Sequence, residues 1–555
     1  MLSTVFIKLF MEIRMIDRRT FLFNALIING FFAMPGCWKK ENFSRPIASE
    51  GAIDIHAHIF NANDVPIVGF AQQVLIRDPH RPVEDNFLTE AFLRLVAGVA
   101  RSNTPTAADE LKELRERGLR SADASTLLKE DEENMASALA NYTDELQSRG
   151  AGLTSQDEQE LLARLVSETG FEPTPGALLD ADEVGSTMAA RVFEREAAGR
   201  TDSFQRNSDF VQTLRWAALL TRRRGDLLAE LVRLYGGEQQ IKVFSPSLVD
   251  FQYWFRTQET VTPRREQIEL MSLLAKQSRD AVVLNVAPFC PLRAALERDA
   301  DANADTLSVV RDAVQNKGFV GVKLYPPMGF LPWHNANVSL DGAYRRPRRG
   351  GQALDDELKL LYEWCVAEGV PIKAHANNSI AADVCTGQYA NPANWRPVLD
   401  QYPDLRLNLA HFGGFDEEHA GGDHCGDHGD NWEDELADML DSYPNLYFDV
   451  GYWIEATDND RVINRTRALL ERQPLALERM MYGSDWSMIG RVPGHQSYYA
   501  DVQTALFKIG LEDSEINAVE AGNARKYLGL GPGDPNYNRL RDFFGPKHLF
   551  SEIFV

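Results

Sequence analysis

The sequence predicts an α/β protein built as a (β/α)8 barrel of the TIM type, with a large helical insertion between strands 1 and 2. Three observations carry that expectation. Eight short segments rich in Val, Ile, Leu and Phe, bounded by Pro or Gly, read as strands. Most of the stretches between them have helical periodicity, the alternation that makes a parallel sheet. Several of the strands finish on a histidine or an aspartate, at the end where a barrel of this kind carries its chemistry.

The strands are expected at 52–60, 241–246, 281–288, 319–325, 370–374, 405–410, 445–450 and 480–484, with clear helices such as 267–277 and 352–368 between them. The first strand carries Asp54-Ile55-His56-Ala57-His58. Side chains two apart in a strand share a face, so Asp54, His56 and His58 are expected to project together while Ile53, Ile55, Ala57 and Ile59 pack on the other side. Two imidazoles so placed can hold one divalent cation without bending the backbone. Further ligand types follow at later strand ends: His375 after 370–374, His411 after 405–410, and Asp485 after 480–484.

A barrel needs about 250 residues, and the chain has 555. Most of the surplus falls at 83–238, where LTEAFLRLVAGVA, DELKELRERGLR and DLLAELVRLYG interleave charge and apolar residues at helical spacing. Leaving from the first strand beside His58, this insertion is expected to cap the metal face. The expected organisation is therefore an export signal at 1–37, barrel at 50–82 and 239–530, a helical insertion or cap at 83–238, and a C-terminal tail at 531–555.

The order His-x-His, His, His, Asp at successive strand ends resembles the amidohydrolase superfamily, specifically its amidohydrolase-related branch. That resemblance implies that His56, His58, His375 and Asp485 hold one divalent metal, with zinc expected. It implies that Asp485 also passes a proton from water to the leaving group, and that His411 either binds a second metal or polarises the scissile carbonyl. Asp54 is expected to orient a ligating histidine. Lys323, on the fourth strand, bridges two metals if carboxylated and otherwise contacts substrate; the branch resembled favours the single metal. The implied function is a metal-dependent hydrolase that uses metal-activated water on a cyclic amide, lactone or ester. The alternatives are a metal-dependent non-oxidative decarboxylase or hydratase of the same branch, and a non-catalytic metal-stabilised binding protein.

Arg18 and Arg19 resemble a twin-arginine export signal, and the apolar stretch 21–33 is too short for an ordinary spanning helix. Cys37 loosely resembles a lipoprotein acylation site. The expected location is periplasmic, or membrane-attached through the N-terminus. A net charge of −23 argues against nucleic acid as a partner and leaves a small molecule. Arg345 and Arg346, in a basic cluster after the fourth strand, are candidates to grip a substrate carboxylate. The loop 416–430, crowded with Asp, Glu, His and Cys425, either holds an extra cation or is simply acidic and mobile. Cys290, Cys365, Cys385 and Cys425 read by default as isolated, mostly buried thiols, with a Cys365–Cys385 bridge as the alternative.

Overall fold

The computed structural model describes residues 51–554 apart from 77–89, 102–103, 121–122, most of 149–208, 238–240, 256–261, 379–381, 383–384, 415–430 and four single positions, 455, 457, 458 and 493. The chain divides into two units, Met1–Pro46 and Ile47–Val555, and all described residues lie in the second. The export segment with Cys37 and the acidic loop 416–430 lie outside the described residues.

Strands run in parallel through the chain as β1 (Ala52–Ala57), β2 (Ile241–Pro246), β3 (Val282–Val283), β4 (Val286–Pro288), β5 (Gly321–Leu324), β6 (Ile372–His375), β7 (Leu407–Ala410), β8 (Leu446–Asp449) and β9 (Met480–Met481). They pair in sequence order as β1-β2-β3 and as β4 to β9. The expected single strand 281–288 is thus two segments. At the break, the Leu284 N–H donates to Phe244 O, the Asn285 carbonyl accepts from Val320 N, and the Asn285 side chain turns aside to Met271 O. Isolated parallel bridges, Ser247 with Val286 and Ala57 with Trp486, link the two sheets at both edges. The architecture is α/β of the TIM-barrel type, with the ligand candidates gathered at one end of the strands.

Burial explains why these runs become strands. Every residue of β1, β5, β6, β7 and β8 is buried, as expected for parallel strands covered on both faces. Gly321 opens β5 because a Cβ there would stand 2.6 Å from the Pro371 carbonyl oxygen, the group that accepts from Val322 N. The helix Gln352–Glu368 coincides with the expected one, and Gly369 ends it at φ 63° with its N–H on the last carbonyls.

Between β1 and β2 lie six described helices: α1 (Ile67–Ile76), α2 (Glu90–Arg101), α3 (Ala107–Arg117), α4 (Ala124–Ser148), α5 (Asp209–Leu219) and α6 (Arg224–Tyr235). The helical stretch therefore begins before residue 83. It is bound to the β1 loop by a buried ion network. Arg224 donates from Nε and Nη2 to Asp64 at 2.9 and 2.6 Å, from Nη1 to Glu110 at 2.7 Å, and from Nη2 to Thr262 at 3.0 Å.

Two expectations are corrected here. Residues 531–555 are more than a tail: helices Pro535–Phe544 and Leu549–Ile553 pack on the barrel, and Asn536 Nδ2 donates to both Val320 O and Leu528 O at 2.8 Å. Cys385 is disulfide-bonded rather than an isolated thiol. Cys290 and Cys365 are free and buried, so its partner lies outside the described residues.

The Arg224 network yields a stability prediction. Arg224→Met strands two buried carboxylates, and a loss of about 3–5 kcal/mol is expected, measured by denaturant unfolding. An unchanged unfolding midpoint would show that the network contributes nothing.

Candidate metal centre

The centre is assembled where β1 meets the end of the eighth strand position. Ile55 N donates to Tyr482 O, and both Ser484 N and Asp485 N donate to His56 O. The Asp54 carboxylate completes this seam, accepting from His56 N at 3.0 Å, Ser484 N at 3.0 Å and Ser484 Oγ at 2.6 Å. Asp54 therefore fixes backbone and does not orient an imidazole, contrary to expectation. The reason is that its oxygens are taken up by the His56 and Ser484 backbone N–H groups and the Ser484 hydroxyl.

His56 and His58 both present Nε2 to Asp485. His56 Nδ1 lies 2.9 Å from Asp449 Oδ1, and His58 Nδ1 lies 2.9 Å from the Ser247 carbonyl oxygen. Those oxygens can only accept, so each Nδ1 carries the proton and each Nε2 keeps its lone pair. Each Nε2 is 3.4 Å from Asp485 Oδ1, and the His56 Nε2 is buried without a hydrogen-bond partner. His56, His58 and Asp485 thus offer three ligand atoms within 4.8 Å of one another. Two imidazole lone pairs and a carboxylate too far apart for good hydrogen bonds fit a cation bound at about 2.0–2.2 Å from each.

Tight backbone packing holds His56 in place. A Cβ on Gly483 would stand 2.7 Å from the His56 Cβ, and one on Gly451 would stand 2.8 Å from His56 Nδ1. Asp485 and His411 have φ of 57° and 73°, in the left-handed region that costs most side chains energy and is concentrated at functional sites.

His375 and His411 stand beside this group. His411 Nε2 is 3.2 Å from His375 Nδ1, its Nδ1 donates to Gly451 O at 2.9 Å, and its ring centroid is 4.7 Å from that of His56. His375 is not among the three that converge within 4.8 Å; its ring stacks on Tyr325 at 4.2 Å between centroids. From Tyr325 an aromatic wall runs back to His58 through Phe251 (4.9 Å), Phe70 (6.1 Å) and Phe60 (5.5 Å), with Phe60 6.1 Å from His58. Phe70 belongs to α1.

Lys323 is buried on β5 with an Nζ that has no hydrogen-bond partner, 5.6 Å from the Tyr325 ring centroid. Arg345 and Arg346 are exposed, and Arg346 pairs with Asp341. The structure does not bring these arginines to the buried cluster. Sequence reasoning missed Asp449, although it closes β8 as a carboxylate at a strand end, the same signal that singled out Asp485. Its carboxylate accepts from His56 Nδ1, Asn408 Nδ2 at 2.7 Å and Gly451 N at 3.0 Å. It missed Lys373 too, which reads in the sequence as one cation in an apolar strand.

Electrostatics sort these groups by role. Burial pushes His56 down to about 3, and His58 and His375 are also lowered by burial, so the rings are neutral. For Asp485 burial works upward, but the neighbouring His56 and His58 outweigh it and hold the carboxyl at about 2. Asp449 lies well below the usual range, its own burial overcome by His56 and His411 and by the Asn408 bond. Burial lowers Lys323 to about 8, against the pull of Asp449 and Asp485. Neutral imidazoles beside an ionised carboxylate are the protonation states that metal binding requires.

Fold and site together define a metal-dependent hydrolase. Residues 268–530, just under half of the chain, match the family model described as amidohydrolase. The match begins after His56 and His58, which the helices α1 to α6 separate from it. Among solved structures, one from Lactobacillus casei ATCC 334, described as a metal-dependent hydrolase, is 13% identical, with a TM-score of 0.38, covering 88% of this chain and 96% of its own. One from Acinetobacter baumannii, described as a 2-pyrone-4,6-dicarboxylic acid hydrolase with citric acid bound, is 14% identical with a TM-score of 0.34, covering 54% and 88%. An amidohydrolase from Burkholderia multivorans with bound zinc is 14% identical with a TM-score of 0.35, covering 54% and 87%. No curated protein matches the chain.

Two predictions follow from the packing around His56. Asp449→Ala removes the acceptor that sets the His56 tautomer and should weaken zinc binding about 10- to 100-fold, read by chelator competition. Gly483→Ala should displace His56 and reduce the metal retained after purification to well below that of the parent, read by elemental analysis; full retention would mean that His56 is not a ligand.

Proposed function

We propose that this chain holds one divalent ion, zinc being the expected metal, on His56 Nε2, His58 Nε2, Asp485 and His375, and hydrolyses a cyclic amide, lactone or ester that carries a carboxylate. The observation that carries the reading is the convergence of two lone-pair Nε2 atoms and the Asp485 carboxylate. His411 Nε2 lies 3.2 Å from His375 Nδ1, which supports a place for His411 directly beside the fourth ligand, within reach of a substrate carbonyl at the centre.

When bound, the metal supplies Lewis-acid polarisation and makes water acidic enough to attack near neutral pH. The protein's own groups supply the rest. Asp485, held ionised, accepts the proton of the attacking water and returns it to the leaving group. His411, fixed by its Nδ1 bond to Gly451 O, stands ready to polarise the scissile carbonyl or to bind a second ion. Lys323 offers a buried amine to an anionic group of the substrate, a better-placed partner than the exposed Arg345 and Arg346; carboxylation would instead let it bridge two metals. The aromatic wall from His58 to His375 suits a planar, apolar ring, and its Phe70 supports a capping role for the helical insertion.

A decarboxylase or hydratase remains the second reading, favoured by the partnerless Lys323 amine beside the ligands. The paired arginines before 21–33, together with the disulfide at Cys385, support export to an oxidising compartment. Among the described residues, no helix is long and apolar enough to cross a membrane.

Purified protein screened against lactones, cyclic amides and aromatic carboxylates tests the reading. On any substrate found, Asp485→Asn should lower turnover by at least about 100-fold, and Lys323→Met should raise KM for carboxylated substrates more than for uncharged ones. Turnover of Asp485→Asn near the parent's would place the base elsewhere.

A further inference from the structure

Lys323 and Lys373 are register partners on β5 and β6, yet their amines meet opposite fates. Lys323 Nζ has no hydrogen-bond partner, whereas Lys373 Nζ donates to Ile55 O, to Ser245 O at 3.1 Å and to Ser247 Oγ at 2.9 Å. Three acceptors match the three N–H groups of an ammonium. Side chains inside a barrel of this type are usually branched and apolar, and an ammonium buried there is costly unless its donors are satisfied.

Two of the three bonds end next to a ligand candidate. Ile55 precedes His56 on β1. Ser247 supplies the carbonyl that accepts from His58 Nδ1. Lys373 itself lies two residues before His375, on the same side of β6. We propose that Lys373 is a positioning residue, a strut that ties β6 to β1 and β2 beneath the metal centre and sets the spacing of His56 and His58 against His375. The role rests on the metal-centre reading given above.

The test uses the full chain, stripped of metal and reloaded with zinc or cobalt(II). Parent, Lys373→Met and Ser247→Ala are compared by chelator competition for zinc, by the visible spectrum of the cobalt form, and by the thermal midpoint of the stripped protein. Lys373→Met is expected to stay folded with a similar midpoint when stripped, yet to bind zinc at least about tenfold more weakly and to shift the cobalt spectrum. A strut with a purely structural role would move the midpoint and leave both metal readouts alone. Zinc affinity within twofold of the parent, with an unchanged cobalt spectrum, overturns the proposal. If Lys373→Met does not fold, Ser247→Ala decides: it removes one acceptor while keeping the carbonyl for His58. A weakening of about two- to tenfold supports the strut, and no change overturns it. A parent that binds no zinc overturns the metal-centre reading itself, and this role with it.

Discussion

The seam closed by the Asp54 carboxylate is the constraint on which the rest depends. Asp54 and Ser484 are 430 positions apart, yet two hydrogen bonds of 3.0 and 2.6 Å join them. That contact brings His56 and His58, near the start of the described chain, against Asp485, near its end. Two of the three convergent ligand atoms therefore precede the helices α1 to α6 and the third follows them. The ion network of Arg224 keeps those helices folded back on the loop after β1, so a long insertion coexists with a tightly specified centre.

Charge is arranged around this seam by burial. The Asp449 carboxylate stays ionised because the His56 imidazole and the Asn408 amide donate to it, while the imidazoles stay neutral because the site is closed to water. The same burial that would favour neutral carboxylic acids is outweighed by short contacts, which makes the arrangement sensitive to small displacements. Glycines at 451 and 483 allow those contacts, since any side chain there would occupy the space of His56 or its partner. The two lysines divide the remaining positive charge: Lys373 is consumed by the scaffold, and Lys323 is left to face whatever enters.

Much of this was legible in the sequence because it depends on local pattern. Apolar runs of five to nine residues marked the strands, 352–368 showed its helix in full, and the strand-end positions of His56, His58, His375, His411 and Asp485 pointed to one face. What escaped was set by geometry that pattern does not encode. The contact with Ser484, 430 positions away, turned an expected histidine partner into a backbone clamp. Asp449 lay in a recognised strand but became informative only once His56 was seen to need an acceptor. Arg345 and Arg346 follow a strand on the correct side, yet their loop carries them into solvent, where Arg346 pairs with Asp341. That Cys385 is disulfide-bonded is a pairing that no spacing rule supplies.

The central claim is that one metal ion sits between the Nε2 atoms of His56 and His58 and the Asp485 carboxylate. Diffraction from crystals of the zinc-loaded protein, collected on both sides of the zinc absorption edge, measures this most directly. The account predicts a single strong anomalous peak at about 2.0–2.2 Å from those three atoms. An empty position there in zinc-loaded crystals, or a peak bound by other residues, would contradict it.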